Sequence, residues 1–168
     1  MRVALTGTPG TGKSTVASQL GDGLEIITLE EVAIEAEIVA ERDAVRNTDI
    51  IDIDALREAT ADLDDILIDS HLSHHLPVDL VVVLRCEPTV LEGRLRTRGM
   101  AERSIIENAQ SEALDLILAE AVAHHGREAV YEIDTTEQTI DAVVEEVQAA
   151  IEGELEPRAG IVDFTGYL

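Results

Sequence analysis

"LTGTPGTGKSTVA", residues 5–17, contains Lys13, the one lysine in a chain of 168 residues; the other eleven basic side chains are arginines. Within it, Gly7-Thr8-Pro9-Gly10-Thr11-Gly12-Lys13-Ser14 matches G-x-x-x-x-G-K-[ST] in full. The apolar stretch Arg2–Thr6 precedes the motif and an amphipathic stretch follows it, the strand–loop–helix setting in which such a loop cradles phosphate. Glycines let backbone N–H groups converge on phosphate oxygens. Lys13 then reaches the β- and γ-phosphates, and the Ser14 hydroxyl ligates Mg²⁺. This explains the retained lysine: a surface lysine is exchangeable for arginine, whereas a compact point charge on a flexible stem is needed here. The motif selects nucleoside triphosphate binding but not the reaction. A guanine-reading N-K-x-D loop needs a second lysine, which the chain lacks, so adenine is the expected base.

The length fits about one domain of roughly 100–200 residues. Hydrophobic residues make up 45% of the chain and aromatics 2%, so the core must be built from Val, Ile, Leu and Ala. The net charge of −23 is spread over helical faces such as "EEVAIEAEIVAERDAVRN" and "DAVVEEVQAAIEGELE". Self-repulsion of this size destabilises a compact state unless salt screens it, which suggests adaptation to a molar-salt cytoplasm. The acidic balance argues against direct nucleic-acid binding, which needs basic side chains on phosphates. A lone cysteine, Cys86, excludes an intrachain disulfide and follows an apolar run, as an inert thiol would. With no signal peptide or membrane-length apolar run in the sequence, a cytoplasmic protein is expected.

Short apolar runs alternate with helical patterns. The expected strands are Arg2–Thr6, Leu24–Thr28, Asp65–Asp69, Leu80–Leu84 and Ala129–Ile133. The expected helices are Lys13–Leu20, Leu29–Ala40, Asp54–Ala61, Thr89–Thr97, Ser104–His124 and Glu137–Glu152. Runs such as "LVVVL" suit strands covered on both faces, so the fold class is α/β, a five-stranded parallel sheet flanked by helices. Residues 1–152 read as the domain; residues 153–168, with Pro157 and Gly160, read as an appended tail.

"DDILIDSHLSHHLP" ends a strand at Asp69. An aspartate there, beside the loop strand, can hold Mg²⁺ directly or through water; the alternative is a turn or capping residue. His71 could orient water or touch phosphate. His74 and His75 raise the thought of zinc, but "HLSHH" brings no cysteine and no evident further ligand, so packing or surface roles are expected for them. Five of the eleven arginines fall between Arg85 and Arg103, and Arg94 and Arg98 share a helical face. Such a cluster in so acidic a chain needs either an anionic ligand, as phosphoryl transfer does, or a set of partner carboxylates.

The glycine loop, "IDSH", "LEGRLRTRG" and "IIENAQSEA" together resemble the adenylate kinase 6 family of P-loop nucleoside monophosphate (NMP) kinases, over residues 1 to about 150. The resemblance implies an NMP-binding insertion at 29–64, a short lid at 99–108, and transfer between ATP·Mg²⁺ and AMP. It maps the loop onto Gly7–Thr15 and an Asp-x-His motif onto Asp69 and His71. It implies that Arg94 lies against adenine, that Arg98 faces phosphates at the lid hinge, that Arg103 is in the lid with Asn108, Gln110 and Glu112 following, and that Asp134-Thr135-Thr136 sits beside adenine. Where many members carry an arginine for the AMP phosphate, this chain has Ile34; Arg42 or Arg46 could substitute. Met100 replaces a common aromatic.

Three functions follow. The first is an NMP kinase, ATP + AMP = 2 ADP, with catalytic Lys13, Asp69, His71 and Arg98. The second, which the family also implies, is an ATPase in small ribosomal subunit maturation that acts through a ribosomal protein; an acidic surface suits such a basic partner. The third is a kinase of a small metabolite such as shikimate, which would need a different acceptor site in residues 29–64.

Overall fold

The computed structural model describes residues 1–38 and 51–168 with their side chains, and between them the backbone of Glu41–Asp43 and Thr48–Ile50. The strands run β1 (Arg2–Thr6), β2 (Glu25–Thr28), β3 (Glu41–Asp43), β4 (Thr48–Ile50), β5 (Ile66–Asp69), β6 (Leu80–Arg85) and β7 (Val130–Asp134). The helices are α1 (Lys13–Ala17), α2 (Leu29–Glu35), α3 (Ile53–Ala59), α4 (Pro88–Thr97), α5 (Glu102–Ala113), α6 (Leu116–His125) and α7 (Ile140–Ile151). Five strands form one parallel sheet in the order β2-β5-β1-β6-β7, and the apolar run of β6 fits a strand covered on both faces. Antiparallel β3 and β4 form a separate hairpin between α2 and α3, which the sequence pattern does not announce. The Arg42 side chain and Arg46 lie outside the described residues.

Alternating side chains divide the core by sheet face. Val3, Leu5, Val82, Leu84 and Ile133 pack with Val16 of α1 and Val143 and Val147 of α7. On the other face Ala4, Val81, Val83 and Val130 meet Leu118 and Ala121 of α6, while Ile66 and Ile68 meet Leu29, Val32 and Leu56 of α2 and α3. Leu91 and Leu95 of α4 pack with Ile105 of α5 and Cys86 in a further cluster. No helix among the described residues is long and apolar enough to cross a membrane.

Helix boundaries follow local chemistry. Thr28 caps α2 through a reciprocal box with Glu31, Asp52 caps α3, and Thr139 caps α7. The single helix expected over Ser104–His124 is two helices. Asp115 turns left-handed (φ 55°) and its carboxylate pairs with buried Arg85, so that ion pair is made at the point where the helix breaks. Likewise α2 ends at Glu35, short of the expected Ala40, with Glu37 at φ 53°.

The C-terminal residues continue the sheet edge. Arg158 N donates to Val130 O (2.9 Å), and Glu132 N donates to Arg158 O (2.8 Å). Further on, Ile161 N donates to the Glu132 carboxylate (2.7 Å), the Phe164 ring lies 5.3 Å from the Arg85 guanidinium carbon, and the Tyr167 hydroxyl donates to Glu92.

In this order the chain first winds from β1 toward β2 and β5 and then crosses to β6 on the other side of β1. Ligands bind beyond the carboxyl ends of strands at such a reversal. The glycine loop leaves β1 at that point, and Asp69 ends the neighbouring β5 in register with Leu5.

Candidate active site

The loop after Thr6 owes its shape to glycines in two places. At Gly7 (φ 141°) a Cβ would lie 2.4 Å from the Leu84 carbonyl oxygen. At Gly10 (φ 94°) it would lie 2.8 Å from Leu91 Cδ1 and 2.9 Å from Leu95 Cδ2, so the loop is seated directly on α4. Gly12 precedes α1, and no side chain caps that helix's first N–H groups.

Lys13 curls back over the loop, its Nζ donating to Gly7 O (2.8 Å) and Thr8 O (3.1 Å). Burial pushes its ammonium pKa down to about 8, against the pull of Asp69 and with the push of Arg98. Lys13, Ser14, Asp69, His71 and Arg98 line a cavity of about 300 Å³, completed by Pro9, Thr28 and Glu30 among others. Asp69 is 6% exposed, and among the described residues its carboxylate makes no hydrogen bond. A nearly buried carboxylate with no hydrogen-bond partner among the described residues, on one wall with a hydroxyl at the start of α1, fits a hard divalent cation. His71 is pushed below the ordinary imidazole range, first by burial and then by Lys13, so at neutral pH it is uncharged.

A second cavity, of about 380 Å³, shares Gly10, Gly12 and Arg98 with the first and is also lined by Thr11, Thr15, Thr97, Arg94, Thr135 and Gln138. Arg94 forms a fixed wall, donating to Thr135 O (3.0 Å) and Thr135 Oγ1 (3.3 Å). Thr135 Oγ1 in turn donates within reach of Arg85 O (2.8 Å) and Thr11 O (3.1 Å). Of the turn 134–136, it is Thr135 that lines the cavity; the Asp134 carboxylate is occupied by Thr136 N (2.9 Å) and Thr136 Oγ1 (2.5 Å). Gly7 lies behind the cleft and lines neither cavity. Gln138 and Glu30 are lining residues that carry no motif, and the sequence gives no signal for them beyond polarity near strand and helix ends; Thr97 lies within "LEGRLRTRG" but had no expected role there.

The arginine cluster divides. Arg98 alone of the five faces both cavities, and Arg94 one of them. Arg96 pairs with Glu92 (2.9 Å) and Glu102 (2.5 Å), and Arg103 with Glu107 (3.0 Å), on exposed faces. Arg85, 1% exposed, pairs with Glu112 (2.7 Å), Glu132 (2.5 Å) and Asp115. It therefore answers to partner carboxylates, one of the two alternatives the composition left open. Glu112 also accepts from Cys86 N (3.0 Å) and Thr8 Oγ1 (2.5 Å), which ties α5 to the glycine loop. Asn108 donates to Ser104 O (2.8 Å) within its own helix. The Cys86 thiol is fully buried, and burial pushes its pKa up to about 11.

Residues 3–115 match the family model described as AAA domain. A protein of Natronomonas pharaonis named "Putative adenylate kinase" is 52% identical over all 168 residues and covers both chains entirely. Proteins of the same name are 48% identical in Halobacterium salinarum, over the whole of both chains, and 40% identical in Pyrococcus abyssi, over 98% of this chain and 92% of that one. Among solved structures, deoxyadenosine kinase of M. mycoides superposes with a TM-score of 0.60 at 17% identity, covering 91% of this chain and 99% of that one. Shikimate kinase of Bacteroides thetaiotaomicron gives 0.55 at 20% identity, over 90% and 98%. At such identities the structural likeness is one of fold, whereas the archaeal sequences match from end to end. The chain belongs to the family of these archaeal P-loop proteins that carry the adenylate kinase name.

Proposed function

We propose that the protein is a nucleoside monophosphate kinase that moves the γ-phosphoryl group of ATP to AMP. One observation carries this reading: Lys13 and Ser14, Asp69 and Arg98, from three separate segments, line a single cavity that opens onto a second one walled by Arg94 and Thr135. The second cavity is of a size and polarity suited to the nucleoside. Lys13 and the loop N–H groups hold the phosphates, and Arg98 faces the charge that spreads over the equatorial oxygens as transfer proceeds. Ser14 and Asp69 would hold Mg²⁺, which neutralises charge on the β- and γ-oxygens. His71, uncharged, positions the acceptor or a water by hydrogen bonding. No covalent intermediate on the protein is required, so positioning and electrostatics suffice. The names of the archaeal relatives support the same assignment.

A second reading, hydrolysis of ATP in a cycle coupled to a basic ribosomal protein, draws support from α2. There Ile34, 77% exposed, stands where the resembling family carries a phosphate-binding arginine, and Glu30 faces the phosphate cavity. A net charge of −23 suits a basic partner. ADP formation from ATP·Mg²⁺ in molar KCl, with and without AMP, separates the two. Saturable turnover yielding two ADP per AMP consumed supports the kinase; slow hydrolysis indifferent to AMP overturns it in favour of the ATPase.

A further inference from the structure

We propose that His74, His75 and Glu120 form a binding site for a divalent transition ion of the zinc class, separate from the nucleotide cleft. Four of the chain's five histidines, His74, His75, His124 and His125, gather where the 3-10 turn Ser73–His75 meets the end of α6. The sequence offered only the pair in "HLSHH"; the fold adds a carboxylate from 46 residues away. His74 Nε2 lies 3.0 Å and His75 Nε2 3.7 Å from the same Glu120 oxygen, and the three ligand atoms fall within 4.8 Å of one another. Zinc–nitrogen and zinc–oxygen bonds of about 2.0–2.2 Å at tetrahedral angles place ligand atoms about 3.3 Å apart. The observed separations bracket that value, and small side-chain adjustments close the set around an ion.

The outer partners favour the same arrangement. A ligating imidazole is oriented by a hydrogen bond at its other nitrogen. His74 Nδ1 has Thr6 Oγ1 at 2.9 Å, and His75 Nδ1 has His124 Nε2 at 3.3 Å. With the proton of each ring on Nδ1, donated to those two acceptors, both Nε2 lone pairs converge on one carboxylate. In the ion-free protein a proton on His74 Nε2 has the same carboxylate as its acceptor; an ion displaces that proton and takes its place. His125 Nε2 donates to His74 O (2.7 Å) and fixes the turn. His74 is 1% exposed and Glu120 51% exposed, so an ion entering from the Glu120 side keeps water as its fourth ligand. Bound there, the ion clips the turn after Asp69 to α6.

The test uses the full chain, stripped with a chelator and titrated with CoCl2 and ZnCl2 in excess MgCl2, which occupies hard carboxylate sites. The expected result is one equivalent of Co²⁺ with the intense visible absorption of four-coordination, bleached by one equivalent of ZnCl2, and a melting temperature raised by ZnCl2. His74 is too buried for a clean substitution, so His75→Ala and Glu120→Gln, at accessible positions, are compared instead. Each should weaken zinc binding by at least about 10–100-fold while circular dichroism stays unchanged. Pale six-coordinate cobalt in the wild type, or wild-type zinc affinity in both variants, overturns the proposal.

Discussion

Replacing Glu112 by alanine probes the link between α5 and the glycine loop. The Glu112 carboxylate, 3% exposed, accepts from Arg85 Nε (2.7 Å), Cys86 N (3.0 Å) and Thr8 Oγ1 (2.5 Å). Removing one partner of a buried ion pair costs about 3–5 kcal/mol, because the remaining charge stays desolvated. Arg85 keeps Glu132 and Asp115, which places its own share at the low end, but Cys86 N loses its acceptor in the interior and that adds to the cost. A total of about 3–5 kcal/mol follows, and at about 2–4 °C per kcal/mol for a chain of this size the melting temperature should fall by about 6–20 °C. Glu112→Gln keeps an acceptor for Arg85 and Cys86 and gives Thr8 a donor, so it loses only the charged part, about 1–2 kcal/mol. A chain of net charge −23 gains from losing any acid, so Glu107→Gln, exposed on the same helix, is the control for removal of one charge. Thermal and urea unfolding in matched salt provide the readout. An alanine variant within about 1 kcal/mol of that control would refute the claim that Glu112 couples α5 to the core.

Lys13→Ala should lower turnover by about 10²–10³-fold with the circular dichroism spectrum unchanged; turnover at the wild-type level removes the phosphate role of the loop. Asp69→Asn should reduce Mg²⁺-dependent turnover by about 10–100-fold and leave nucleotide affinity within a few fold, measured by calorimetry beside steady-state rates; equal losses in both would contradict a metal-holding role. The Lys13 pKa of about 8 predicts a pH effect on binding. Below that pH the ammonium is charged and ATP affinity is flat. Above it, binding must first reprotonate Lys13, so the Kd should rise about tenfold per pH unit, and Lys13→Met should abolish this slope. A wild-type affinity that stays constant to pH 10 would contradict the depressed pKa.

Features that depend on neighbouring residues were legible before the structure. The phosphate loop is contiguous, and its glycines stand at positive φ in the motif itself, although at Gly7 and Gly10 the distant Leu84, Leu91 and Leu95 also exclude a Cβ. The central strands β5, β1 and β6 are largely apolar runs, because a parallel strand covered on both faces leaves little room for a polar side chain, whereas the edge strands β2 and β7 carry Glu25 and Glu132. Asp69 could be picked out since strand ends in such a sheet face the ligand side. Helix ends were less legible: Asp115 reads as an ordinary helical residue until Arg85 is placed beside it.

By itself, then, the sequence determined the α/β class, the loop that holds phosphate, and the identity of its lysine, because these rest on short-range periodicity and backbone geometry. Tertiary structure alone decided which charges pair. Arg85 looked as available for an anionic ligand as Arg98, yet it meets Glu112, Asp115 and Glu132 from 27, 30 and 47 residues away. It also decided that Thr135, rather than Asp134, lines the cleft, and that Glu120 reaches the two histidines of the turn. The physical reason is common to all three. Desolvation makes a buried charge or polar group depend on whichever partner the fold brings within about 3 Å, and sequence separation carries no record of that distance.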